Sequence, residues 1–109
     1  MKIEKRDEDG FRVVSLSGDV DLQNSQTLKK ELLDAVGAGK PVVVEMSQVS
    51  YIDSSGVASL VEAYQTARKK NSSFALAGLS ASAQRVLQLA RLDRVFTIHP
   101  TLDRAMNRD

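Results

Sequence analysis

The run Pro41-Val42-Val43-Val44-Glu45-Met46 constrains the fold most. A short, Val-rich and nearly continuous apolar segment suits a strand buried on both faces, and such strands sit inside sheets that helices cover. The flanking segments fit that requirement. Residues 24–37 carry Leu28, Leu32, Ala35 and Val36 on one helical face and Lys29, Lys30 and Glu31 on the other. Asn24 or Ser25 suits its N-cap, and Gly37 and Gly39 suit its end. After a connection over residues 47–51, Val57, Leu60, Val61 and Tyr64 recur at i, i+3, i+4 and i+7, and Arg68, Lys69 and Lys70 complement the dipole in the last turn. Asn71 can end that helix.

The remaining segments extend the alternation. Residues 74–79 form another apolar strand, and Ser80 or Ser82 caps a helix carrying Ala83, Val86, Leu87 and Ala90. Residues 95–98 read as the last strand, and Pro100-Thr101 opens a terminal helix with Leu102, Ala105 and Met106. At the other end, Asp9-Gly10 favours a tight reversal between Ile3 and the β-prone Phe11-Arg12-Val13-Val14, so residues 2–17 read as a hairpin. Gly18-Asp19-Val20-Asp21 then breaks the strand pattern. The expected fold class is α/β. One small mixed sheet, mostly parallel after an N-terminal hairpin, carries packed helices in the order ββαβαβαβα.

Composition narrows the function. The 109 residues suffice for one core, and residues 1–109 are expected to form a single domain. With 15 basic and 14 acidic side chains the net charge is +1, which gives no broad electrostatic footprint for nucleic acid or an anionic membrane. The chain has no Cys and one His, so thiolate chemistry, Cys-based zinc sites and multi-His metal sites are excluded. No metal or cofactor site is expected. The charged N-terminus lacks a signal-like apolar core, and no apolar stretch is long enough to span a bilayer, so a cytoplasmic location is expected.

The most informative segment is Asp53-Ser54-Ser55-Gly56, placed just before the amphipathic helix. A helix N-terminus has unpaired N–H groups and partial positive charge, so a hydroxyl there is exposed and a phosphate would find donors. Gly56 lacks a β-carbon and leaves room for a partner's backbone or an approaching phosphate. Asp53 or Ser54 also suits a simple helix cap, and spacing alone does not separate the two readings.

Ser50-Tyr51-Ile52-Asp53-Ser54-Ser55-Gly56-Val57 resembles the signature of the STAS domain family, in particular that of bacterial anti-sigma factor antagonists. Gly18-Asp19-Val20-Asp21 resembles the turn before the family's first helix. Ala77-Gly78-Leu79 and Leu92-Asp93-Arg94-Val95-Phe96 resemble its later spacing. The resemblance implies a partner-switching module. It would bind an anti-sigma factor that is also a GHKL-type serine kinase, and so free a sigma factor. Phosphorylation of the second Ser, here Ser55, would block binding, and a PP2C-type phosphatase would restore it. Asp21, Asp53, Ser54, Ser55 and Gly56 are the expected partner-binding residues.

Glu45 stands where many relatives have Asp at the end of the strand, which moves the charge by one methylene. A second function class also fits: small STAS proteins that resemble this chain serve as accessory subunits of ABC-type lipid transport systems and bind the ATPase. Catalysis by Ser55 is not expected, because no Gly-x-Ser-x-Gly elbow is present and His99 is the lone imidazole. His99 reads as a loop residue, Tyr51 and Tyr64 as packing aromatics with Tyr51 near the Ser loop, and Arg85, Arg91 and Arg94 as a solvated cluster.

Overall fold

A computed structural model describes residues 1–107. Its elements are β1 (Lys2–Glu8), β2 (Phe11–Val20), α1 (Ser25–Gly37), β3 (Val42–Ile52), α2 (Ser54–Lys69), β4 (Phe74–Ala77), α3 (Ala81–Leu89), β5 (Thr97–His99) and α4 (Leu102–Ala105). The order matches the expected ββαβαβαβα. All five strands form one sheet in the order β1-β2-β3-β4-β5. β1 and β2 are antiparallel, and every later pair is parallel.

The hairpin turns where the dipeptide predicts. Asp9 and Gly10 take φ of 53° and 83°, as a two-residue loop with both central residues left-handed requires, and Glu8 pairs with Phe11 across it. Side chains alternate across the sheet. Val14, Leu16, Val42, Val44, Met46, Phe74 and Leu76 join Leu28 and Leu32 of α1, Leu60 and Ala63 of α2, and Ala83 and Leu87 of α3 in the main core. On the opposite face, Val43 and Ala77 meet Ala105 of α4, with Phe11 and Leu102 beside them. Tyr64, Phe74 and Phe96 meet edge-on or tilted, with ring centroids 5.3 Å apart for Tyr64–Phe96 and 6.4 Å for Tyr64–Phe74.

Four expectations need correction. Residues 18–20 do not break the strand; they complete β2. Gly18 takes φ of 84° at a shift in register between Gly18 and Asp19, so its backbone freedom serves an irregularity within the strand. Residues 47–51 are strand as well, since the far half of β3 pairs with that extension through Ser17–Gln48, Gly18–Val49, Asp19–Tyr51 and Val20–Ile52. Beyond Glu45 the β4 ladder has stopped, so this half of β3 has one strand neighbour and tolerates polar residues. The last strand covers Thr97–His99 rather than residues 95–98, because Phe96 is committed to the core just ahead of it. The fourth strand ends at Ala77, where Gly78 turns at φ of 59°.

Candidate functional site

β3 delivers Ile52 to the core and ends at Asp53, whose backbone N–H donates to the Val20 carbonyl at 3.1 Å. This bond ties the β3–α2 junction to the β2–α1 junction. Asp53 is extended at φ −102° and is the N-cap of α2. Its Oδ1 accepts the Ser55 N–H at 2.9 Å, the Gly56 N–H at 3.2 Å and the Ser55 hydroxyl at 2.5 Å. The hydroxyl of Ser55, with the backbone N–H groups of Gly56, Ser55 and Leu22, holds the Asp53 carboxyl below its ordinary pKa against the opposing effect of desolvation. The carboxylate thus occupies donors that an anion at this helix end was expected to find open.

Gly56 is buried, and its missing side chain faces inward. A β-carbon there would lie 2.7 Å from Val20 Cγ1 and 2.9 Å from Ile52 Cγ1. The space left by this glycine belongs to the ends of β2 and β3, which corrects the reading that it admits a partner's backbone or a phosphate. Ser54 is exposed in the first turn, Ser55 is half-buried, and the cap is Asp53 rather than Ser54.

Asp21 shapes the neighbouring turn. Its Oδ1 accepts the Gln23 N–H at 3.0 Å, its carbonyl accepts from Asn24 and Ser25, and its own N–H donates to Asn24 Oδ1 at 2.9 Å. Asn24 therefore braces the turn and does not cap α1 through its side chain. Two large apolar side chains lie exposed beside this pair of junctions: Leu22 at 76% and Tyr51 at 52% exposure. Leu22 escaped sequence reasoning, although an apolar residue between Asp21 and Asn24, outside any periodic segment, is its visible signal. Ser59 escaped it too. This serine is buried, and its hydroxyl is shared between the carbonyls of Ser25 at 3.0 Å and Ser55 at 3.1 Å, tying α1 to the first turn of α2.

The other sequence candidates stand apart. Glu45 does not end its strand; its Oε1 accepts from the Ser47 N–H and hydroxyl, and its Oε2 lies 2.7 Å from where a Gly78 β-carbon would stand. His99 lines a cavity of about 360 Å³ between α3 and β5 with Leu79, Gln84, Gln88 and Asp93. Arg91 and Arg94 flank a separate cavity. No cluster of metal-ligating side chains occurs among the described residues. Among them, no helix is long and apolar enough to cross a membrane.

This junction, a capping carboxylate holding a serine hydroxyl at the mouth of a helix in a ββαβαβαβα sheet, can be set beside known proteins. A model of the STAS domain matches residues 2–105. The chain belongs to the STAS domain family. An anti-sigma-B factor antagonist of Listeria monocytogenes is 27% identical over 99 residues, which cover 90% of this chain and 86% of the relative. The crystal structure of an anti-sigma factor antagonist from Mycobacterium paratuberculosis superposes with a TM-score of 0.89 at 30% identity, covering 99% of this chain and 94% of that one. The Bacillus cell fate determinant SpoIIAA in its phosphorylated form shares the fold, with a TM-score of 0.75 at 18% identity over 98% of each chain. These STAS relatives favour the anti-sigma factor antagonist reading over that of an ABC transport subunit.

Proposed function

We propose that this STAS protein is an anti-sigma factor antagonist, a binding module rather than an enzyme, whose docking surface is gated by phosphorylation of Ser55. One observation supports this reading most: the Ser55 hydroxyl, held by Asp53, stands in the first turn of α2, at the pair of junctions that also carry the exposed Leu22 and Tyr51. Apolar side chains of that size on an otherwise polar junction supply contact area for a partner. Asp21 and Asp53 shape the two turns, Ser54 and Ser55 present hydroxyls, and Gly56 admits the close packing beneath them.

Phosphorylation replaces the donor that Asp53 accepts with a group carrying about −1.5 to −2 charges. The carboxylate already neutralises the helix end, so the phosphate is repelled from it and turns outward onto the docking surface. A partner must then bury an unmatched anion, and each ~1.4 kcal/mol of that penalty lowers affinity tenfold. The partner is an anti-sigma factor that is also a GHKL-type serine kinase, with a PP2C-type phosphatase reversing the mark. All act in the cytoplasm. The proposed binding domain spans residues 1–109.

Affinity capture from the native cell, with wild type and Ser55→Asp as baits, tests this. A serine-kinase anti-sigma factor retained by wild type and lost by Ser55→Asp is the expected result. Capture of an ABC-type ATPase by both baits would overturn it.

A further inference from the structure

The outer edge of β1 ends the sheet, and among the described residues no strand pairs with it. This edge is seven residues long, Lys2–Glu8, contains no Pro, and is mostly exposed. In a two-residue hairpin the residues flanking the loop exchange both backbone hydrogen bonds, and bonded pairs then alternate. Glu8–Phe11, Arg6–Val13, Glu4–Ser15 and Lys2–Ser17 are therefore the bonded pairs, and the N–H and C=O groups of Ile3, Lys5 and Asp7 point away from β2.

We propose that this edge is a homodimerisation surface, on which two copies pair β1 against β1, antiparallel and centred on Lys5. In that register Ile3 meets Asp7 and Lys5 meets Lys5 through backbone bonds, extending the sheet across both copies. Between these bonded pairs, Glu4 faces Arg6 and Lys2 faces Glu8, each twice. Such non-bonded pairs bring side chains closest. All four residues lie on the face away from α1, where Lys2–Glu4 and Arg6–Glu8 already pair within each strand at 3.3 Å. The dimer joins them into one alternating row.

The two neighbouring registers are electrostatically poor, and those centred on Ile3 or Asp7 pair opposite charges only over a shorter ladder. A shift that centres the pairing on Glu4 sets Glu4 against Glu4 and Lys2 against Arg6. A shift that centres it on Arg6 sets Arg6 against Arg6 and Glu4 against Glu8. Like charges directly opposite destabilise a ladder. On the α1 face, the central Lys5 is ion-paired with Glu31 of its own chain, and Asp7 is held by Arg12 and Lys40, so those charges reach the interface matched. Charge on an edge strand ordinarily blocks pairing with arbitrary strands; here its order matches that of a second copy. Because the pairing is antiparallel, the two Ser55 sites face opposite ends of the joined sheet.

Sedimentation equilibrium of the full chain, from micromolar to near-millimolar concentration at low salt, tests the proposal. We expect a concentration-dependent dimer in which the exchange of the Ile3, Lys5 and Asp7 amides slows as the dimer fills. Glu4→Arg and Arg6→Glu should each weaken association by roughly tenfold or more. Mixing the two variants restores it, because every contact between position 4 of one copy and position 6 of the other then again sets a cation against an anion. A protein that stays monomeric throughout overturns the proposal, as does a dimer indifferent to Glu4→Arg or a mixture no more associated than its parts.

Discussion

The Ser55 hydroxyl and the Asp53 carboxylate are 2.5 Å apart, and the oxygen that accepts the hydroxyl also caps the helix on which Ser55 stands. One atom thus fixes the helix start and orients the side chain proposed to be modified. The two roles can be separated by substitution. Ser55→Ala removes the hydroxyl and keeps both backbone bonds to Asp53, so it should fold normally and bind the anti-sigma factor constitutively. Ser55→Asp should bind at least roughly tenfold more weakly. Titration calorimetry against the captured partner measures both.

Asp53→Ala removes the cap itself. Loss of an N-cap carboxylate costs about 0.5–2 kcal/mol of stability. Urea denaturation should show a lower midpoint with an unchanged slope, since the same surface is exposed on unfolding. Partner binding should weaken as well, because the Ser55 side chain loses its orienting acceptor.

Gly56→Ala sets two rules against each other. Helix propensity favours Ala by about 1 kcal/mol. The new β-carbon, however, meets Val20 Cγ1 at 2.7 Å and Ile52 Cγ1 at 2.9 Å. Overpacking a filled core costs about 1–3 kcal/mol, so the clash should win and the melting temperature should fall. An unchanged or raised melting temperature would show that the β2 and β3 ends yield without cost.

Acid should weaken the hairpin through Asp7. Hydrogen bonds from Arg12 and Lys40 lower its pKa from 3.8 to about 2. A carboxylate whose folded pKa lies below its unfolded value adds stability above the unfolded value, and loses that contribution as pH falls through the folded one. The loss should therefore run from about pH 3.8 down to about pH 2. Thermal melts of Asp7→Asn should show a shallower acid dependence across that window than wild type.

Much of this was readable from residue order, because local chemistry and tertiary need agreed. Asp9-Gly10 turns because both residues accept positive φ, and the spacing of Val57, Leu60 and Tyr64 buries one face of α2. Asp53 and Ser80 cap their helices, each one of the two residues the spacing offered, and the last helix opens at Thr101. The misreadings arose where a distant strand overrode local preference. Gly18-Asp19 has the composition of a turn, yet β3 pairs alongside and draws it into the sheet. The polar Ser47-Gln48 looked like a connection for the complementary reason. The inward role of Gly56 was hidden because an absent side chain does not say which neighbour fills the space, and the identity of Val20 and Ile52 as that neighbour depends on the sheet register.

The bed beneath the Ser55 turn is made of two branched aliphatic side chains from different strands. Mutational drift at positions 20, 52 and 56 should consequently be correlated: a bulkier residue at 56 becomes tolerable only where 20 or 52 has shrunk. Lineages that enlarged either strand end would have to retain the glycine, whatever happened to the serine beside it.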